Sequence, residues 1–245
     1  TSSMKVLELF SGIGGFSLGL ERAGMETVAF CEFDEHARKV LKKHWPDVPI
    51  YEDVRELDAR KYRGAVDVVT GGFPCQDLSS AGKQAGFNGD RSSLYIEMLR
   101  IIGECRPKYA LFENVAALLT GESGRWFAQF LYDLAEVGYN AEWHCIPASY
   151  VGAWHRRGRV WLVAYPNKER CEGRAQKPLE WQREITRQSV RSFEGWPGRS
   201  NLPTSRFCNA NDGVSNRVAK LECAGNAVVP DIPELIGRAI LEVRI

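Results

Sequence analysis

The segment Asp67-Val68-Val69-Thr70-Gly71-Gly72-Phe73-Pro74-Cys75-Gln76 offers one kind of chemistry, nucleophilic attack by a thiolate. An apolar run ends in two glycines and a proline, so Cys75 falls just past a strand's carboxyl end. Backbone dipoles and cationic neighbours there lower a thiol's pKa and make it reactive. Position alone leaves a buried structural cysteine as the alternative. The next apolar run, Tyr109-Ala110-Leu111-Phe112-Glu113-Asn114-Val115, carries Glu113 to the equivalent end. A carboxyl group among apolar neighbours keeps its proton to higher pH and can donate it, so Cys75 and Glu113 pair as nucleophile and acid. A capping or ion-paired carboxylate is the plain alternative for Glu113.

A second constellation suits a nucleoside. The run Val6 to Phe10 leads directly into Ser11-Gly12-Ile13-Gly14-Gly15 and then an amphipathic stretch. Glycines allow a tight turn and let backbone N–H groups approach a ligand at a helix N-terminus. Glu32, 17 residues beyond Gly15 and at the end of the next apolar run, is spaced to accept hydrogen bonds from a ribose diol. Asp53, after a third short apolar stretch, could take an adenine's exocyclic amine. The turn is not GxGxxG and lacks the GKS/T of a phosphate loop, which favours a compact ligand over a pyrophosphate. A purely structural turn is the alternative.

These residues need a scaffold that brings strand ends together. Strands are expected at Val6–Phe10, Thr27–Cys31, Val66–Thr70, Tyr109–Glu113, Asn140–Ile146 and Val160–Tyr165, with helices at Phe16–Ala23, His36–His44, Leu94–Cys105 and Arg125–Val137. Such alternation predicts a Rossmann-like α/β domain with a mostly parallel sheet and ligands at the strands' carboxyl ends. After Pro166 the pattern breaks down into an Arg-, Gln-, Ser-, Gly- and Pro-rich stretch, read as a small inserted lobe over 166–213. The apolar face of Ile232–Val243 predicts a helix that returns to the first domain and packs beside its first strand. Residues 1–165 and 214–245 then form one domain.

Composition bounds the partners. The 44% hydrophobic and 26% charged content is that of a globular protein, and no run of about 18 apolar residues exists. The opening TSSMKVLELF lacks a signal-peptide layout, so a soluble cytoplasmic protein is expected. The seven cysteines include no CxxC pair, which argues against a zinc site or a disulfide framework. From His155 to Arg206 there are twelve Lys or Arg against five Glu; this net +7 leaves −6 for the rest of a chain whose total is +1. A basic, Trp-containing stretch on an otherwise acidic chain suits a polyanion, with a solvated loop as the alternative.

Taken in order, ELFSGIGGFSLGLERAG, CEFDEHA, GGFPCQDLSSAGKQAGF with GDRSSL, FENV, HRRGRVWLVA and GNAVVP resemble the DNA cytosine-5 methyltransferase family, bacterial or phage type. Five of the six lie within residues 8–164, about two-thirds of the chain, and the sixth stands near its end. The resemblance implies transfer of a methyl group from S-adenosylmethionine to C5 of a flipped-out cytosine in double-stranded DNA, leaving S-adenosylhomocysteine and using no metal. Cys75 would add to C6, Glu113 would hydrogen-bond or protonate N3, and Arg157 and Arg159 would contact the base and a neighbouring phosphate. The cofactor would lie against Phe10, Ser11, Gly12, Ile13, Gly14, Gly15, Glu32, Phe33, Asp53, Val54, Gly72, Pro74, Leu94, Asn226 and Val228. Gln76, Ser79 and Arg91 would join the two arginines on DNA, the loop from Ser79 to Arg91 being similar to the family's mobile active-site loop. His155 stands where the family usually has Gln, and the stretch from Tyr165 to Gly213 is shorter than its usual recognition region. The resemblance further implies a monomer in a bacterial or phage-infected cell, acting in restriction-modification or a related setting.

Three other readings compete. An NAD-dependent oxidoreductase predicts GxGxxG and has no use for PCQ or ENV. A non-catalytic DNA-binding homologue would lack Cys75 or Glu113. A tRNA-type RNA cytosine-5 methyltransferase stays open because the recognition stretch is short.

Overall fold

Strands β1 (Lys5–Leu9), β2 (Glu26–Cys31), β3 (Ile50–Tyr51), β4 (Val68–Gly71), β5 (Tyr109–Val115), β6 (Tyr139–Pro147) and β7 (Gly158–Pro166) form one sheet in the order β3-β2-β1-β4-β5-β7-β6. The computed structural model describes residues 3–74, 93–153, 156–167 and 226–242. Its helices are α1 (Gly15–Arg22), α2 (Glu35–His44), α3 (Ser93–Cys105), α4 (Arg125–Glu136) and α5 (Asp231–Glu242). The five strands from β3 to β5 run parallel. Covered on both faces, β1 and β4 are buried almost without a break rather than at alternate residues.

Two cores sandwich the sheet. On one face Leu7, Leu9, Ala110, Phe112 and Leu162 meet Met98 and Ile101 of α3 and Phe130 and Leu134 of α4. On the other, Val6, Val68, Leu111, Trp161 and Val163 meet Phe16 and Leu20 of α1 and Ile232, Ile236 and Ile240 of α5. Fully burying such a side chain contributes about 1.5–3 kcal/mol, so each face holds its helices firmly.

The expected elements are present with ends shifted by one or two residues, and β3 is an additional two-residue pairing with Phe30 and Cys31. The sheet is mixed at one side, because β7 runs antiparallel to both β5 and β6. The link from β6 to β7 takes ten residues, 148–157, opening on the turn Ala148–Val151 with Gly152 in the left-handed region, and a parallel pair would need a longer crossover. Helix α5 shares a core with Met4 and Val6 of the first strand, as expected, but its main neighbour is α1. Of the lobe expected at 166–213, Pro166 and Asn167 are described and the remainder lies outside the described residues.

Candidate active site

The glycine turn takes its shape from residues that tolerate left-handed backbone. Phe10, Gly12 and Gly14 have φ of 50°, 51° and 85°. Ser11 fixes the start of the turn: its hydroxyl donates to the Glu8 carbonyl at 2.9 Å and its N–H donates to the Cys31 carbonyl at 3.2 Å. The β1 and β2 ends are thereby stitched together. Across them, Glu32 accepts from the Gly12 N–H at 2.6 Å through one oxygen and from the Asp34 N–H at 2.7 Å through the other. Each carboxylate oxygen has a second lone pair, so Glu32 is oriented yet able to accept ribose hydroxyls.

The remaining walls come from distant parts of the chain. Phe33 is 73% exposed, an unusual state for an aromatic ring unless a flat partner covers it. A Cβ at Gly15 would lie 2.6 Å from the Val228 carbonyl oxygen, so a bare backbone at 15 is what lets the segment with Asn226 and Val228 approach α1. Val54 is buried and packs in the core, where its carbonyl accepts from Arg100 at 2.9 Å. Asp53 is paired with Arg55 through both carboxylate oxygens, and this neighbour holds its carboxyl below the usual range. An adenine amine would have to share Asp53 with that guanidinium. Leu94 packs on the α3 side of the core, and Ile13, Gly72 and Pro74 are partly exposed. An acidic ribose ligand, an open ring and a glycine cradle fit the nucleoside end of S-adenosylmethionine.

At the β4 and β5 ends the acid is set in place. Glu113 has a side chain only 12% exposed, and its Oε1 lies 3.0 Å from Arg159 Nε. Burial pushes its carboxyl above the ordinary range, while Arg159 and then Arg157 pull it back. Arg159 stands opposite Val115 where β7 pairs with β5, which puts its guanidinium beside this carboxyl. A Cβ at Gly72 would sit 3.1 Å from Glu113 Oε2, so the missing side chain leaves room for the acid. Arg157 has a φ of 31° and donates to the Ala227 carbonyl at 3.0 Å, joining the arginine pair to the segment that lines the glycine turn.

Cys75, Gln76, Ser79, Arg91 and His155 lie outside the described residues. The backbone leading to Cys75 is nonetheless pinned: Asn114 donates from Nδ2 to the Phe73 carbonyl at 3.1 Å and takes the Val115 N–H on its own oxygen. Periodicity does not mark Asn114, for which its place beside Glu113 in FENV is the available signal. For Glu8 the signal is a charged residue inside an apolar run. A groove of about 860 Å³ between α3 and α4, bordered by Tyr95, Leu99 and Trp126, contains none of the site residues. Among the described residues no cluster of His, Cys, Asp and Glu would hold a metal, and no helix is long and apolar enough to cross a membrane.

A family model for C-5 cytosine-specific DNA methylases matches residues 4–195. The type II methyltransferase M.Eco47II of Escherichia coli is 42% identical over 164 residues, which are 66% of this chain and 39% of that protein. The type II methyltransferase M.CviJI of Paramecium bursaria Chlorella virus IL3A is 31% identical over 230 residues, 94% of this chain and 57% of that one. The chain thus spans between two-fifths and three-fifths of the length of these two relatives. The Entamoeba histolytica methyltransferase EhMeth superposes with a TM-score of 0.68 over 99% of both chains at 14% identity, a likeness of fold.

Proposed function

We infer that this chain, which belongs to the C-5 cytosine-specific DNA methylase family, transfers a methyl group from S-adenosylmethionine to C5 of cytosine in double-stranded DNA. One observation carries the reading beyond family membership. A buried Glu113, paired with Arg159 and given room by Gly72, adjoins the strand that leads to Cys75. A carboxyl whose pKa burial raises, on the strand next to the one that leads to the nucleophile, is what activation of a cytosine ring requires.

The target base leaves the stack, since C5 and C6 are out of reach within the duplex. Cys75 then adds to C6 while Glu113 donates to N3, which moves electron density onto C5. The bound cofactor supplies an electrophilic methyl group for that carbon. Loss of the C5 proton to solvent, return of the N3 proton to Glu113 and departure of the Cys75 sulfur restore the ring, with S-adenosylhomocysteine as the other product. Arg159 orients Glu113 and, with Arg157, offers a guanidinium fork to the base carbonyl and a phosphate. Glu32, Phe33 and the glycine turn hold the ribose, adenine and methionine ends of the cofactor.

The test uses labelled S-adenosylmethionine and duplex DNA with 5-fluorocytosine at its cytosines, a substitution that blocks proton loss from C5. The unmodified chain should form a stable labelled adduct, and Cys75→Ser should form none. An adduct that survives Cys75→Ser removes the assigned nucleophile, and a tRNA labelled in preference to duplex DNA replaces the substrate.

A further inference from the structure

Helix α1 has no side-chain cap of its own, because Gly14 occupies its N-cap. The N–H groups of a first turn need acceptors from elsewhere. Glu8, fully buried on β1, provides one from beneath. Its Oε2 accepts from the Ser17 N–H at 2.9 Å and from the Ser17 hydroxyl, and the Phe16 N–H also bonds this carboxyl. Residues Ser11 to Gly15 span the gap between Glu8 and that first turn. The glycine turn is therefore fixed at both ends, by the chain leaving β1 and by the carboxyl reaching up to α1.

The other half of Glu8 faces along the sheet. Glu8 and Thr70 are register partners on β1 and β4 and project to the same face. Glu8 Oε1 and Thr70 Oγ1 are both buried and have no hydrogen-bond partner among the described residues. The two atoms do not bond each other, so Glu8 is engaged through Oε2 alone, by α1. An unpaired buried polar atom costs about 1–3 kcal/mol, so the bonds to Ser17 offset only part of the cost of burying this carboxyl.

We propose that Glu8 is a positioning residue for the methyl donor: through Ser17 it anchors from beneath the first turn of α1, and with it the far end of the glycine turn. The proposal rests on reading Ser11 to Gly15 as the cofactor turn. Glu8 touches neither substrate nor cofactor, and acts by fixing the helix start onto which that turn leads. A role in packing alone would be served by an apolar side chain of similar size, since a buried carboxyl is no better for stability than a well-packed leucine.

Calorimetric binding of S-adenosylhomocysteine to the whole chain separates these roles, with duplex-DNA binding and thermal unfolding measured on the same samples. Glu8→Leu should weaken S-adenosylhomocysteine at least about tenfold and raise KM for S-adenosylmethionine, while DNA affinity stays within about twofold. Glu8→Gln should recover most of the loss, because its amide oxygen still accepts from Ser17. Ser17→Ala, which removes one bond and spares the fold, should fall between them and carries the test if Glu8→Leu does not fold. Wild-type affinity in Ser17→Ala, or no recovery in Glu8→Gln, would overturn the proposal. If the unmodified chain does not bind S-adenosylhomocysteine, the cofactor reading fails first and the proposal falls with it.

Discussion

Arg159 Nε rests 3.0 Å from Glu113 Oε1, on a carboxyl that burial pushes above its ordinary range. The arginine opposes burial, so removing its charge should move Glu113 titration upward. In a pH profile of kcat/KM, Arg159→Met should shift the Glu113-dependent inflection to higher pH, and Arg159→Lys should shift it less. An inflection that stays put in Arg159→Met removes Glu113 as the titrating group.

Replacing the acid itself tests the proton. Glu113→Gln keeps the shape and one hydrogen bond but cannot give up a proton, and general acid catalysis contributes roughly 10²–10⁴ in rate. We expect kcat to fall by about that factor while the dissociation constant for S-adenosylhomocysteine is unchanged. Loss of cofactor affinity in step with kcat would contradict the separation of the two halves of the site.

The paired glycines make opposite predictions. A Cβ at Gly71 would overlap the Leu9 carbonyl oxygen, whereas one at Gly72 would meet only Glu113, at 3.1 Å. Gly71→Ala should therefore lower the unfolding midpoint by several degrees, an effect of about 1–3 kcal/mol. Gly72→Ala should leave the midpoint nearly unchanged and reduce kcat by displacing the carboxyl. Thermal unfolding and steady-state kinetics on both variants decide the matter.

Phe33 is 73% exposed and contributes little packing, so Phe33→Ala should fold normally. If its ring stacks on adenine, S-adenosylhomocysteine should bind about tenfold more weakly, in line with the ~1–3 kcal/mol of base–aromatic stacking. Unchanged binding by calorimetry would place adenine elsewhere.

Stability should also depend on pH through Glu8. Burial pushes its carboxyl from 4.5 up to about 8, with a smaller push from Glu21 and an opposing pull from Ser17. The folded state thus binds a proton more tightly than the unfolded state. The associated stabilisation is complete below the unfolded value and is lost as pH rises through about 8. Denaturant midpoints should therefore carry a Glu8-dependent decline between about pH 4.5 and about 8 in the unmodified chain, and Glu8→Gln should remove that decline.

The strand-helix alternation through Glu136 was legible because each element buries its own face, so periodicity records it directly. The direction of β7 was not, because whether it runs with or against β5 is decided by a partner more than 40 residues away in the chain. Glu32 was legible from its spacing after the glycine turn, and its bond to the Gly12 N–H is consistent with that reading. The link from Arg157 to Ala227 crosses 70 residues and leaves no local pattern. The engagement of Asp53 by Arg55 was within reach of the sequence, being two residues away, but a carboxylate read for a ligand is easily read without its neighbours.

The cradle at Gly15, the packing of α5 on α1 and the bond from Arg157 to Ala227 have a joint consequence for how such proteins diversify. They hold the chain where it leaves the sheet and where it comes back, independently of what joins Asn167 to Asn226. For a flexible connection, doubling its length costs only about 0.6 kcal/mol in closure entropy. Length changes between Asn167 and Asn226 accordingly cost the two anchored ends little. Under the proposed function, the residues that do the chemistry and those that read the target can then change at separate rates within one polypeptide.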